Sequence, residues 1–384
     1  MKSSLLDTQF MQRALQLARR GLGKTSPNPA TGAVLVKNGR IIGEGWHKRA
    51  GGPHAEIVAF RGCGSGLPAA TGRDKNVAPT MAKGATLYST LEPCCTWGKT
   101  PPCTDAIIAA GVKRVVYAAT DPNPKHSGRG AKVLRRAGIR VDIGLLADEA
   151  TRMNAAFNKW ITTGLPLVIA KAAMSADGKI ATHAGDSKWI TSEAARREAH
   201  KLRARVDAVM VGANTVIRDN PQLTVRHGVR GKQPLRVVVD ARGRCPRSAK
   251  LFTNAHRRRT VVLTTNRSSR RWRRNLALLG IDVMTTRGKN GMVNLRQGLR
   301  SLGRMNVTSV LVEGGGELLG SLFDARLVDR VAFFYAPRMI GGRAAVSAIG
   351  GLGAAKVTQA VRLRECRWRK IGQSEMLLEA EVIR

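Results

Sequence analysis

The chain contains no unbroken run of about 18 apolar residues, so no transmembrane helix is expected. The opening stretch MKSSLLDTQFMQRALQLARRG has neither an unbroken apolar h-region nor a cleavage site. No signal peptide is expected from it, and a cytoplasmic protein is. Cysteine is scarce, with six among 384 residues, which excludes a disulfide scaffold. Three of them, Cys94, Cys95 and Cys103, cluster, which in a reducing compartment suggests a metal or catalysis. Cys63, Cys245 and Cys366 stand alone and read as packing residues. Acidic residues are few: 26 against 65 Lys and Arg, for a formal charge of +39. Neither internal repeats nor low-complexity tracts are evident.

The positive charge is spread over both halves. Only Arg257 to Arg259 and the stretch RSSRRWRR (267–274) are dense. Dedicated nucleic-acid arms come as blocks, so a solvated surface is the favoured reading and no dedicated nucleic-acid partner is expected. Compositional bias of the source genome is the preferred explanation of the excess.

A length of 384 residues suits two domains, and 43% hydrophobic content suits packed cores. Phe10, Met11, Ala14, Leu15 and Ala18 recur at helical spacing, with Asp7 as the expected N-cap. TGAVLVKNGRIIGEGW alternates around Asn38-Gly39, a hairpin signal. A helix is expected from His54, a strand over ATLYSTLEPC, a helix from Cys103 to Ala110, and then strand, helix and strand to about residue 146. Residues 147–165 read as a connecting helix and linker, punctuated by Gly164 and Pro166. A second series follows from 166, with strands expected at 167–174, 207–211, 235–240, 260–264, 281–284, 308–313 and 328–335. Its helices are expected at 192–204, 269–279, 294–303 and 316–323. The expected domains are therefore 1–146 and 166–384, both of layered α/β type.

Chemistry concentrates first at His54-Ala55-Glu56, followed by Pro93-Cys94 and, after an eight-residue loop, Cys103. This is the logic of zinc deaminases: H-x-E, then P-C, then another Cys, with the Glu not a ligand. One imidazole and two thiolates leave Zn2+ an open tetrahedral position for water. Glu56, two residues from its neighbouring ligand, is placed to move protons. Both cysteines should lie near helix N-termini, where the dipole favours thiolate. Cys95 competes with Cys94, and Pro93 decides for Cys94. His47 and His126 read as substrate contacts or as ordinary loop residues. A nucleic-acid-editing zinc deaminase is the alternative, but those enzymes usually have P-C-x-x-C. A non-catalytic RNA-binding relic is disfavoured by retention of the three ligands and Glu56.

Taken together, TSPNPATGAVLV, HKRAGGPHAE, TLEPC, GKTPPC, DPNP and GRG resemble the bifunctional deaminase–reductases of riboflavin biosynthesis. KAAMSADGKIA, GDSKWITS, DNPQLTVR and VEGGGELLGSL extend the resemblance to about residue 343, while the last forty residues carry little motif. The resemblance implies a cytidine-deaminase-like three-layer α/β/α domain followed by a dihydrofolate-reductase-like α/β domain. It implies zinc-dependent deamination of a phosphorylated pyrimidine ribotide, then NADPH-dependent reduction of its ribosyl group, in a homo-oligomer. It implies His54, Cys94 and Cys103 as zinc ligands and Glu56 as the proton donor, with Asn28, His47 and Lys99 as weaker pocket candidates.

For the reductase the resemblance implies cofactor contacts at Ala173, Trp189, Thr215, Asp219 and the run Gly315, Gly316, Glu317, Leu318, Leu319, Gly320 and Ser321. It implies substrate contacts at Ser187, Arg203, Leu223, Arg226 and Glu313, the two arginines holding a phosphate. By itself, Arg203 reads as a solvated helix face among Arg196, Arg197, Lys201 and Arg205. Gly314-Gly315-Gly316, between an expected strand and helix, suits close approach of backbone N–H groups to a pyrophosphate, though it is not a G-x-G-x-x-G fingerprint. Lys171 and Asp177 are possible orienting groups, and no acid–base residue for the hydride step stands out. The sequence departs from the family's usual pattern at Thr31 (usually Val), at Cys95-Thr96 (usually Ser then His), and at Ala241 (often Ser).

Overall fold

The computed structural model describes residues 4–63, 81–98, 100–288 and 291–383. They form two compact units, 1–164 and 165–384. In the first unit the strands are β1 (Gly32–Lys37), β2 (Arg40–Trp46), β3 (Thr86–Leu91), β4 (Arg114–Ala119) and β5 (Arg140–Ile143). They lie in the order β2-β1-β3-β4-β5, antiparallel up to β3 and parallel from β3 to β5. The β1–β2 hairpin turns on Asn38 and Gly39 as expected, both at positive φ (51° and 71°), the signature of a turn matched to strand twist.

Period-2 alternation sorts the two faces of this sheet. Val34, Val36, Tyr88 and Val116 face α1 (Leu5–Arg19), burying Met11, Ala14 and Leu15. Ala33, Leu35, Leu87, Val115 and Tyr117 face α2 (Ala55–Gly62), α3 (Cys103–Ala109) and α4 (Arg129–Arg136). The result is the three-layer α/β/α arrangement. Ser4, not Asp7, is the N-cap of α1; Asp7 is its N3 partner in a capping box, because the helix starts one turn earlier than the apolar pattern shows. Residues 147–165 are not one helix but two, α5 (Ala147–Met153) and α6 (Ala155–Thr163). The break falls at Asn154, whose amide leaves the helix to bond Ala30 N (2.8 Å) and Ala30 O (3.0 Å).

The second unit holds β6 (Leu167–Ser175), β7 (Lys179–Ala181), α7 (Glu193–Arg205), β8 (Ala208–Gly212), α8 (Ala213–Asp219), β9 (Leu235–Val239), α9 (Lys250–Thr253), β10 (Thr260–Thr264), α10 (Arg270–Leu278), β11 (Asp282–Thr285), α11 (Leu295–Arg304), β12 (Ser309–Glu313), α12 (Gly316–Asp324), β13 (Arg330–Ala336), β14 (Val346–Ser347), β15 (Leu363–Ile371) and β16 (Glu375–Val382). The main sheet runs β11-β10-β9-β8-β12-β6-β13-β16-β15, parallel as far as β13 and antiparallel beyond. β7 and β14 pair apart from it. Central strands are buried on both faces and read as near-continuous apolar runs such as Val209–Val211 and Val310–Val312. α11 and α12 cover one face; α7 to α10 cover the other. The motif-poor C-terminal residues supply β15 and β16, which extend the sheet past β13. Of the lone cysteines, Cys63 and Cys245 are buried and Cys366 is exposed.

Candidate active sites

In the first unit the site sits at the carboxyl ends of parallel strands β3 and β4, where such sheets place ligands. Gly43 and Gly45 of β2 bring α2 unusually close: a Cβ at Gly45 would lie 2.2 Å from Ala55 O, and one at Gly43 2.3 Å from Ala59 O. That approach seats His54 as the N-cap of α2 and Glu56 in its first turn. β3 runs out into Glu92-Pro93-Cys94, and the N-terminus of α3 faces back, with the Cys103 N–H donating to Cys94 Sγ at 3.3 Å.

His54 Nδ1 lies 3.2 Å from Cys103 Sγ and 3.5 Å from Cys94 Sγ. The three ligand atoms all fall within 4.8 Å of one another. A tetrahedral zinc with bonds of about 2.0 Å to nitrogen and 2.3 Å to sulfur separates such ligand atoms by roughly 3.5 Å. The donor set therefore fits the ion in both chemistry and spacing. A hydrogen bond from Cys103 holds the Cys94 thiol down at about 4, and the same bond together with burial pushes Cys103 up. Cys95 lies outside this triad, and burial raises its thiol.

Glu56 is buried. Ser89 donates to its Oε1 at 3.0 Å, and its Oε2 faces Cys103 Sγ at 3.5 Å. Burial raises its carboxyl above the usual range, with the His54 charge opposing. A second wall is a chain of contacts: Asn28 Nδ2 lies 3.2 Å from His47 Nε2, and His47 Nδ1 lies 2.9 Å from Pro53 O. The His47 and His54 rings stand edge to face, 5.5 Å apart. Lys99 lies outside the described residues. Ser89 and Glu92 carried no role in the sequence reading. Glu92 is a buried acid within TLEPC that accepts from three backbone N–H groups, those of Asp121, Gly128 and Ala131.

In the second unit a cleft of about 1640 Å³ opens along the carboxyl ends of the parallel strands. Ala173, Ser187, Trp189, Arg203, Thr215, Asp219, Leu223, Arg226, Glu313, Gly315, Gly316, Glu317, Leu318, Leu319 and Ser321 all line it. Gly320 does not; it backs onto another segment, where a Cβ would lie 2.2 Å from the Gly350 carbonyl carbon. Gly315 caps α12 without a side-chain bond, so the helix N-terminus is open. A Cβ on Gly314 would meet Thr215 Oγ1 at 2.7 Å. An open helix N-terminus in a glycine turn fits the pyrophosphate of a dinucleotide. The apolar lining at Val239, Ala241, Val293 and Leu295 fits a base.

Arg203 is no solvated helix residue. Its Nε and Nη2 donate to Glu313 Oε1 and Oε2 at 2.6 and 2.9 Å, and its Nη1 donates to Thr224 O at 3.1 Å. Lys171 Nζ lies 3.7 Å from Glu313 Oε2. Burial raises the Glu313 carboxyl, but the Arg203 and Lys171 charges outweigh it and hold it at about 2. Burial pushes Lys171 down, with Glu313 opposing. Arg226 is exposed, and its guanidinium has no acidic partner among the described residues. Its backbone N–H donates to His200 Nδ1 at 3.0 Å, and burial with the Arg203 charge lowers His200 to about 4. Trp189 is largely exposed, with the Arg196 guanidinium 4.5 Å above its ring.

Comparison with known proteins assigns a family to each unit. Residues 5–119 match the cytidine and deoxycytidylate deaminase zinc-binding region, and residues 166–377 match the RibD C-terminal domain. The riboflavin biosynthesis protein RibD of Actinobacillus pleuropneumoniae is 42% identical over 380 residues, covering 99% of this chain and 96% of the relative. That of Aquifex aeolicus is 41% identical, covering 96% of each. The chain belongs to the RibD family of riboflavin biosynthesis proteins. Solved RibD of Acinetobacter baumannii superposes with a TM-score of 0.85 at 36% identity, covering 99% of each chain. A Thermotoga maritima structure described as a diaminohydroxyphosphoribosylaminopyrimidine deaminase/5-amino-6-(5-phosphoribosylamino)uracil reductase gives 0.81 at 36% identity, covering 98% of this chain and 99% of that one. As a RibD, the chain is a bifunctional enzyme, a zinc-dependent deaminase followed by an NADPH-dependent reductase. The nucleic-acid-editing reading leaves residues 166–377 without a role, and the RibD assignment replaces it. The departures from the usual RibD pattern leave His54, Cys94 and Cys103 in place: Thr31 is buried at the start of the first sheet, Cys95 and Thr96 follow Cys94, and Ala241 lines the cleft of the second unit.

Proposed function

We propose that the first unit hydrolyses the amino group of 2,5-diamino-6-(5-phosphoribosylamino)pyrimidin-4-one, and that the second reduces 5-amino-6-(5-phosphoribosylamino)uracil to its ribitylamino product. The observation that carries this reading is the convergence of His54, Cys94 and Cys103 beside a buried Glu56, in a chain that also carries the reductase cleft. Zinc, when bound to the three ligands, makes water nucleophilic near neutral pH. Glu56 takes a proton from the attacking water and hands protons to the ring nitrogen and the departing ammonia. Ser89 fixes one carboxylate oxygen of Glu56, which leaves the other for the transfer.

In the reductase, NADPH, when bound, supplies hydride to C1′ of the ribosyl group. The C1′–O4′ bond opens and O4′ takes a proton. Ala173, Trp189, Thr215, Asp219 and the open N-terminus of α12 would hold the cofactor. Arg226, which has no acidic partner among the described residues, would hold the substrate phosphate. Arg203 spends its fork on Glu313, so its part is to orient that carboxylate toward the substrate, next to Ser187 and Leu223. Positioning carries this step.

The domain limits 1–146 and 166–384, a cytoplasmic location and a homo-oligomeric state complete the proposal. No described helix is long and apolar enough to cross a membrane. Leu352, Val357 and Trp368 are exposed apolar residues, and light scattering measures self-association directly. The test of function is an assay with the pyrimidine ribotide. Deaminated product is expected without NADPH, and ribityl product only with it. Absence of deamination by zinc-loaded protein would sink the first half of the reading.

A further inference from the structure

The loop after β4, residues 120–128, is locked to the zinc loop. Glu92, two residues before the ligand Cys94, accepts backbone N–H bonds from Asp121 (3.3 Å) and Gly128 (2.9 Å). Gly130 packs so tightly on Pro93 that a Cβ there would lie 2.2 Å from Pro93 O. On this pinned loop His126 is half-buried, and its Nδ1 lies 3.2 Å from the Thr96 hydroxyl, two residues past Cys94. Among the described residues, Nε2 of His126 has no hydrogen-bond partner. A Thr96 hydroxyl donating to Nδ1 places the ring proton on Nε2, which makes it a donor in search of an acceptor.

We propose that His126 is a substrate-binding residue of the deaminase site, its Nε2–H donating to an acceptor oxygen of the pyrimidine ribotide, with Thr96 as the positioning residue that sets the tautomer and aim of the ring. The proposal rests on the deaminase reading above and adds to it a contact from a different loop. Its consequence is that substrate affinity depends on position 126, while the chemical step, carried by Glu56, does not.

The test uses the full-length zinc-loaded chain. His126→Ala is expected to raise the KM for deamination about tenfold while kcat stays within about threefold, the loss of one hydrogen bond to a charged or strongly polar group. Calorimetric affinity for the deaminated product should fall by a similar factor. Thr96→Val should do the same more weakly, and Thr96→Ser should restore the wild-type KM. Zinc content and NADPH-dependent reduction, measured on the same preparations, should be unchanged, which separates lost contact from lost fold. An unchanged KM and unchanged product affinity in His126→Ala, or a fall in kcat alone, overturns the proposal. Wild-type protein that fails to deaminate the ribotide overturns the parent reading instead.

Discussion

Arg203 and Glu313 meet through two parallel N–H···O bonds of 2.6 and 2.9 Å, although 110 positions separate them in the chain. Both side chains are nearly buried, at 12% and 9% exposure, and both line the reductase cleft. Breaking one partner of such a pair strands the other in low dielectric, at a cost of about 3–5 kcal/mol. Arg203→Met alone should lower the melting temperature of the second unit and abolish reduction. The double change Arg203→Met, Glu313→Leu should recover part of the stability, because it also takes the carboxylate partner from buried Lys171, and none of the reduction. Calorimetric melting of the single and double variants checks this; a double variant no more stable than the single one argues against a stranded Glu313 carboxylate as the source of the loss.

Glu56→Gln keeps the size and the Ser89 contact but cannot take a proton. Deamination should fall by at least about 100-fold. Reduction, assayed with its own substrate supplied, should continue at the wild-type rate. Normal deamination by this variant contradicts the assigned role.

Cys94 and Cys95 are neighbours with different duties. Cys94→Ser and Cys103→Ser should lose zinc and deamination together, whereas Cys95→Ser should retain one zinc per chain, since Cys95 stands outside the ligand triad. Elemental analysis of purified protein decides it. Chelation of the wild-type protein should silence deamination and leave reduction intact.

Gly320 has no room for a side chain, because a Cβ there would lie 2.2 Å from the backbone of Gly350. Gly320→Ala should push α12 away from that segment and cost about 1–3 kcal/mol. The N-terminus of the same helix lies in the cofactor cleft, so the KM for NADPH should rise severalfold while deamination is unaffected. Equal NADPH affinity in the two proteins would show that the helix position is not critical.

Asp7 binds Arg114 at 2.8 and 3.0 Å and accepts from Tyr88. The Arg114 hydrogen bonds lower its carboxyl from 3.8 to about 2, against the opposing effect of burial. The folded pKa lies below the unfolded one, so the stabilisation is fully present above about pH 4 and is lost as pH falls through about 2. The shift corresponds to about 2 kcal/mol at neutral pH. Asp7→Asn should therefore destabilise the first unit by about that much at pH 7, and the difference from wild type should shrink toward pH 2. Denaturant titrations at several pH values measure it; a gap that does not narrow on acidification excludes this linkage.

The sequence by itself determined the local elements and the residue types of the zinc site. Helix and strand periods set by 3.6 and 2, the Asn38-Gly39 turn, and the H-x-E, P-C and C spacing are all encoded over short distances. Motifs also named the expected reductase residues, and the fold lines one cleft with all of them but Gly320. Only the tertiary structure decided what these side chains do to one another. It turned Arg203 from an apparent surface cation into the fixed partner of Glu313. It gave Ser89 and Glu92 their roles, broke the helix at Asn154 to serve Ala30, and added the motif-poor β15 and β16 to the sheet. It also set His126 against Thr96, thirty residues away. These are pairings between distant segments, and their energies come from burial and hydrogen-bond geometry that exist only once the strands are side by side.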